Sequence, residues 1–284
     1  MKIARECVCC GGGRLDRAPA VLMPFIAYRV FGWEPVETTE EWGLRDIKPG
    51  HAYPLCGSLH CRDCGMLFLD MRFDDDEMAS LYAGYRDQAY RDARDRFEPG
   101  YAARNDLLEV GASYIGDIEE FLAPHLPVRP RVLDWGGDTG LNTPFRGRAA
   151  LHHVYEISDK PLVAGASRVR REDLGREHYD LIVLSQVLEH VSQPRDLLGE
   201  IAKILRPDTL LYVELPFEAV MRSHAADPLA HKHHWHEHIN FYSATALDRL
   251  HESCGLRILA RDTREVVVGG RSPHIFSILS RLAP

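Results

Sequence analysis

The chain has 284 residues, 45% of them hydrophobic and 27% charged. That composition excludes wholesale disorder and is sufficient for one large domain with its own core and a smaller one. With 42 acidic against 34 basic residues the formal net charge is -8, which argues against a protein that grips nucleic acid through a basic face, and no apolar run has the length of a membrane span.

Cysteines come first along the chain. Positions 7, 9, 10, 56, 61 and 64 hold all but Cys254, and the leading MKIARECVCCGGG has no apolar stretch of the kind a signal peptide carries. The expected compartment is the cytoplasm, where thiols stay reduced and clustered cysteines point to metal. Cys7-x-x-Cys10-Gly and Cys61-x-x-Cys64-Gly each form half of a zinc knuckle. A tight turn lets two thiolates reach one ion, and two halves close a structural site of four thiolates. Cys9 and Cys56 are rival ligands, and a set of buried free thiols is the plain alternative. The loop between the halves carries Val21, Leu22, Met23, Phe25, Tyr28, Phe31, Trp33 and Trp42, apolar surface that could pack over a site or form a homodimer contact.

Residues 74–100 are rich in Asp, Arg and Tyr and read as a solvated helical connector that Pro99-Gly100 ends. Leu107, Leu108, Ile115, Ile118 and Leu122 recur at helical spacing, which predicts one amphipathic helix over 104–122. Beyond Pro130, strands are expected at 131–135 (RVLDW), 153–157 (HVYEI), 179–185 (YDLIVLS) and 209–215 (TLLYVEL). Between the last two lies a helix with Leu197, Leu198, Ile201, Ile204 and Leu205 on one face. A helix capped by Ser243 and stopped by Gly255 follows, then strands at 256–261 and 274–279. Alternating strands and helices mean an α/β fold with a mostly parallel sheet. The expected organisation is a zinc-binding unit with a substrate-covering loop at 1–73, a connector at 74–103 and the α/β domain at 104–284.

RVLDWGGDTG puts Asp134 at the end of a buried strand, ahead of Gly136, Gly137, Asp138 and Gly140. A glycine turn at the first crossover of an open parallel sheet is where a nucleotide-like ligand sits. G-x-G-x-x-G cannot be laid on these glycines, and a carboxylate beside a pyrophosphate is repulsive. An ammonium or sulfonium, both present in S-adenosylmethionine, would be attracted to Asp134. Glu156, after the next strand, suits ribose hydroxyls, and Asp173 in REDLG suits an adenine amino group. The plain alternative is that Asp134 caps its turn and Glu156 is a solvated strand end.

HKHHWHEHINFY places His231, His233, His234, His236 and His238 between the fifth expected strand and the next helix. Three readings stay open: a metal site on alternating His234, His236 and His238, a loop that supplies a catalytic base, or polar loop residues. His190 and Glu189, in SQVLEHV, lie on the same cleft edge, where Glu189 would orient a histidine or simply pack at a helix start. Tyr242 and Glu214 could line the same pocket.

VLDWGGDTG, VYEIS, YDLIVLSQVLEHVSQPRDLLGEIAKILRP and TLLYVELP, in that order, resemble the successive motifs of class I S-adenosylmethionine-dependent methyltransferases. The resemblance runs from about residue 100 to the end of the chain, with one departure, since Asp138 stands where these families usually have glycine. It implies a Rossmann-like seven-stranded sheet with helices on both faces and one antiparallel strand near the end. It also implies cofactor contacts around Gly136 to Gly140, Glu156, Asp173, Ser185 and Gln186. The preceding cysteine unit is similar to that of deoxysugar C-methyltransferases, although this chain ends soon after the core where those continue. Short methyltransferases of polysaccharide and natural-product pathways fit the length better. HEHINFYS resembles a recurring feature of the group and makes His238 the first candidate base, with His190 second.

The expected function is methyl transfer from S-adenosylmethionine to oxygen or carbon of a small molecule, a sugar or nucleotide sugar, with structural Zn2+. The alternatives are methylation of RNA or protein and a non-catalytic cofactor-binding partner.

Overall fold

The computed structural model describes residues 1–42, 49–108, 111–268 and 270–284. Seven strands form the large sheet: β1 (Arg131–Trp135), β2 (Leu151–Tyr155), β3 (Ser167–Arg168), β4 (Leu181–Ser185), β5 (Leu210–Pro216), β6 (Leu256–Glu265) and β7 (His274–Leu282). Their order is β3-β2-β1-β4-β5-β7-β6, and β7 is antiparallel to both of its neighbours while β1 to β5 run parallel. β4 (LIVLS) is apolar nearly throughout because helices or turns cover both of its faces. Ile118 and Leu122 pack on one face of the sheet, with Val132, Val183 and Tyr212. Leu198, Ile201, Leu247 and Leu250 pack on the other, with Leu133, Leu184 and Val213.

Most expected elements form. The helix Pro194–Ala202 starts on proline, whose missing N–H costs nothing there. Ser243 caps Ala244–Ser253 by accepting the Ala246 N–H at 3.0 Å. Two expectations change, the helix over 104–122 and the connector. The single helix over 104–122 is two helices, Tyr101–Leu108 and Ile115–Leu122; Gly111 at φ 91° lies between them, and the side chains of Leu107 and Leu108 lie outside the described residues. The crossover from β1 to β2 is a chain of turns, because LNTPFRGRAA carries Pro144 and Gly147 where a helix would need N–H donors and stiff backbone. The connector is not merely solvated. Asp75–Tyr82, capped reciprocally by Asp74 and Glu77, and Gln88–Phe97 bury Leu81, Tyr90 and Arg94.

Those helices and Pro24–Phe31 pack on a second, five-stranded sheet. Its order is His234–Trp235, Leu15–Leu22, Leu55–Cys61, Leu67–Leu69, Asn240–Phe241. Both edge strands thus come from the histidine segment: Trp235 pairs with Leu22 in parallel, and Asn240 pairs with Phe68 antiparallel. Leu22, Phe25, Tyr90, Trp235 and Phe241 fill this unit's core. Cys7, Cys61, Cys64 and Phe68 belong to the same apolar cluster as Leu188, Tyr242 and Leu250 of the large-sheet unit. Phe31, Trp33 and Trp42 are exposed. No helix among the described residues is long and apolar enough to cross a membrane.

Two buried polar side chains tie the sheets together. Asn240 donates from Nδ2 to the Leu188 carbonyl (2.9 Å) and the Val191 carbonyl (2.7 Å), and its Oδ1 accepts from Arg72 Nη2 (2.8 Å). Arg72 also donates to the carbonyls of Leu69, Val191 and Ser192. Burial lowers its pKa to about 10, against the charge of Asp70, and the oxygens that its hydrogen bonds reach are all neutral. Asn240→Ala removes one of two donors at each of the Leu188 and Val191 carbonyls and one acceptor of the Arg72 guanidinium, and should cost about 3 kcal/mol in urea unfolding. Surface Asn142→Ser serves as the control.

Candidate active site

β1, β2 and β4 lie side by side and end on the same edge of the sheet, so the loops after them converge. After β1 the chain turns through Gly136 at φ 76°. A Cβ on Gly137 would stand 2.5 Å from the Asp134 carboxyl, so the turn closes over that side chain only with glycine there. Asp134 therefore lies beneath the turn, buried and hydrogen-bonded by Thr143 Oγ1. In this position the side chain shapes the turn. Asp138 takes φ 52°, the left-handed conformation that explains glycine as the usual residue. Its carboxylate meets Lys160 Nζ at 3.0 Å and Arg86 Nη1 at 3.8 Å.

Glu156 accepts the N–H groups of Asp138 and Ser158, both at 3.0 Å, which fixes its carboxylate against the glycine turn. Asp173 ends a single turn, Arg171–Asp173, and pairs with Arg176 at 2.6 Å. Ser185 Oγ (2.9 Å) and Gln186 Nε2 (3.0 Å) donate to Glu214 Oε1, as does Tyr114 OH at 2.8 Å, while Tyr212 OH donates to Oε2 at 2.9 Å. Glu214 is thus the buried anchor under the Ser185-Gln186 corner, where Gln186 sits at φ 57°. Tyr242 does not line the pocket. It is fully buried and donates to the Leu188 carbonyl at 3.0 Å.

The second half of the site follows β4. Glu189, 1% exposed, points toward His190 and His238: its Oε1 lies 3.7 Å from His190 Nε2, and one ligating atom of each of the three residues lies within 4.8 Å of the others. Among the described residues neither Glu189 oxygen has a hydrogen-bond partner. The Glu189 carbonyl accepts the N–H groups of Ile239 (2.7 Å) and Asn240 (3.1 Å), which brings the histidine segment onto this edge. His190 Nδ1 meets the Glu237 carbonyl at 3.1 Å and Tyr82 OH at 2.9 Å. A carbonyl can only accept, so Nδ1 carries the proton and Nε2 its lone pair. His238 Nδ1 donates to Glu218 Oε1 at 2.8 Å, which likewise leaves the lone pair on Nε2. The two imidazoles stand edge to face with centroids 4.7 Å apart.

Burial pushes the Glu189 carboxyl up to about 7 and holds His190 and His236 well below the usual histidine value. Burial also opposes charge on His238, but the Glu218 hydrogen bond and the charge of Glu189 outweigh it and raise its pKa. His236 Nδ1 accepts the His238 N–H, and His234 lies on the exposed sheet edge. Among the described residues the alternating trio His234, His236 and His238 therefore does not gather as a metal site. Glu218, Tyr82 and Glu237 were not found from the sequence. Glu218 follows Pro216-Phe217 with no motif around it, and the tyrosines at 82, 85 and 90 were the one available signal for the first helix.

The four cysteines expected to bind metal do gather: Cys7 and Cys64 sulfurs are 3.6 Å apart, Cys10 and Cys61 3.7 Å, and all four lie within 4.8 Å of one another. Cys9 points instead to the Ala246 carbonyl at 2.9 Å, and Cys56 packs beside the small-sheet core.

The strand order, the single antiparallel strand and the loop site on the β1–β2–β4 edge define a class I methyltransferase fold. The family model described as a methyltransferase domain matches residues 82–261, more than half the chain, so the chain belongs to that family and carries an S-adenosylmethionine-dependent methyltransferase domain. Among curated proteins it is similar to the C-methyltransferase NovU of Streptomyces niveus, 29% identical over 126 residues. The match spans 43% of this chain and 28% of that protein's length. Among solved structures it resembles the 1,6-didemethyltoxoflavin-N1-methyltransferase of Burkholderia thailandensis, which holds 1,6-didemethyltoxoflavin and S-adenosylhomocysteine. The TM-score is 0.50 at 14% identity, over 79% of this chain and 99% of that one, a likeness of fold.

Burial pushes the Asp134 carboxyl from 3.8 up to about 7 against the Thr143 hydrogen bond, with the charges of Glu156 and Glu214 adding to the rise. The folded chain thus holds a proton that the unfolded chain releases. The stability this contributes is full below about pH 4 and is lost as the pH rises through about 7, at a slope of at most about 1.4 kcal/mol per unit. Asp134→Asn should flatten that fall in urea midpoints measured across the interval.

Proposed function

We propose that the chain transfers the methyl group of S-adenosylmethionine to a small-molecule acceptor, a sugar or nucleotide sugar, at a carbon beside a keto group. The observation that carries this reading is the His238–Glu218 pair, a partly exposed imidazole whose Nδ1 is hydrogen-bonded to a carboxylate, which leaves the lone pair on Nε2. The similarity of part of the chain to a C-methyltransferase supports the same chemistry. The cofactor supplies an electrophilic methyl on a cationic sulfur.

The residues fit such a group. Glu156 is held against the turn for ribose hydroxyls, and Asp138 lies where the cofactor's methionine end would come. The carboxylates of this edge suit an ammonium and a sulfonium, and Gly136 to Gly140 offer close backbone approach. Ser185 and Gln186 are pinned by Glu214 at the next corner. Asp173 is proposed for the adenine amino group, which requires it to leave Arg176 or share it.

His238 Nε2 takes the proton from the carbon beside the keto group, and Glu218 stabilises the resulting imidazolium. The enolate carbon forms its bond to the methyl carbon as the sulfur–carbon bond breaks, and sulfur keeps the electron pair. His190, held by Tyr82 and Glu237, and the buried Glu189 are proposed to orient the acceptor. In-line displacement depends chiefly on alignment, so rigid placement supplies much of the acceleration. The test is mass spectrometry of nucleotide sugars, keto forms included, incubated with the chain and S-adenosylmethionine in deuterated solvent. We expect a methyl mass gain, and deuterium entering beside the keto group even without the cofactor. His238→Asn should lower both by about 100-fold or more. Absence of methylation across the panel, with cofactor binding seen by calorimetry, would refute the sugar acceptor.

We further propose that Cys7, Cys10, Cys61 and Cys64 hold structural Zn2+. Zinc–sulfur bonds of about 2.3 Å in a tetrahedron put sulfurs about 3.8 Å apart, close to the spacings of the two pairs. Metal analysis should find one zinc per chain at these cysteines. Cys61→Ser should lose it, and Cys9→Ser and Cys56→Ser should keep it.

A further inference from the structure

We infer that Glu189, His190 and His238 form a second metal site, one that takes a divalent transition cation. Three features of the cluster, independent of the methyl-transfer reading, lead there. Glu189 is a buried carboxylate with no hydrogen bond to either oxygen, an arrangement that is costly unless something positive or protic completes it. Each imidazole has its Nδ1 proton held from behind, His238 by the Glu218 carboxylate and His190 by the Glu237 carbonyl and Tyr82. This outer support fixes the tautomer that turns the Nε2 lone pair inward, as around bound metals. One ligating atom from each residue lies within 4.8 Å of the other two, and both imidazoles are partly open to the cleft, which leaves coordination positions for a small molecule or water.

Two imidazoles and one carboxylate suit Mn2+, Fe2+, Co2+, Ni2+ or Zn2+ better than Mg2+ or Ca2+, which prefer oxygen alone. The site differs in kind from the four cysteines, whose thiolates would give a closed, sulfur-only shell. A cation here occupies the His238 Nε2 lone pair that a proton would take. If the base role proposed above holds, the metal-loaded chain is therefore inhibited.

The experiment is titration of the full-length chain, zinc retained at its cysteines, with Co2+, followed by calorimetry and visible absorption. We expect one further equivalent, with ligand-field bands but no added thiolate-to-metal charge-transfer band. Glu218→Gln, which removes outer support only, should weaken this equivalent by about tenfold or more, and Glu189→Gln should abolish it while the cysteine zinc count stays unchanged. If Glu189→Gln does not fold, by circular dichroism, His190→Asn replaces it. No further equivalent in the wild-type chain, or unchanged affinity in the folded variant, overturns the inference. A failure of methyl transfer in the sugar panel leaves this titration unaffected, so the two readings fail separately.

Discussion

Two buried side chains, Arg72 and Asn240, hold together the parts of this protein that must meet at its site. Arg72 belongs to the N-terminal unit, Asn240 to the histidine segment, and the carbonyls they share belong to the turn after β4. That turn carries Glu189 and His190, and its Glu189 carbonyl receives Ile239 and Asn240 in return. Every donor finds an oxygen at 2.7–3.1 Å, so the charge of Arg72 is paid for by dipoles fixed in register. The separation of His190 and His238, distant in sequence, is set by this network and not by the loops themselves. A polar clamp of this kind specifies one arrangement more sharply than apolar packing can, because a slip of one residue strands several buried groups at once.

The same edge of the large sheet carries three buried carboxylates under contrasting conditions. Glu214 receives Tyr114, Tyr212, Ser185 and Gln186, enough donors to hold its charge in place. Asp134 has the Thr143 hydroxyl beneath a glycine turn. Glu189 has no donor. Moving from Glu214 to Glu189 therefore passes from a structural anchor, through a group that shapes a turn, to one left for an outside partner. Burial alone does not tell these roles apart; the count of donors does.

The large sheet was legible because its signal is local. Each buried strand is a short apolar run closed by a turn, and β1, β4 and β5 fall where hydrophobic pattern and punctuation agree. The cysteine clustering was legible from identical spacing, which left Cys9 and Cys56 as rival ligands; only the folded chain sets them apart, through their contacts with Ala246 and the small-sheet core. What the sequence could not express was pairing across long separations. His234–Trp235 and Asn240–Phe241 are two-residue strands with no periodicity of their own, and their partners lie some two hundred residues earlier. Glu218 and Tyr82 belong to the site through the same distant contacts. The burial of Asp134 was hidden for a different reason: a carboxylate beside a glycine turn reads alike whether it is open or lies under the backbone.

The shared sheet also constrains the order in which the protein can become native during synthesis. Strands at residues 15–22, 55–61 and 67–69 are made early, yet both outer edges of their sheet wait for residues 234–241. Until then the nascent chain presents open strand edges and the apolar surfaces of Phe68 and Leu22 to its surroundings. Closing contacts over such separations is slow. The N-terminal portion is therefore the first to be translated and among the last to be finished, and in the interval it is the part most in need of protection from chaperones.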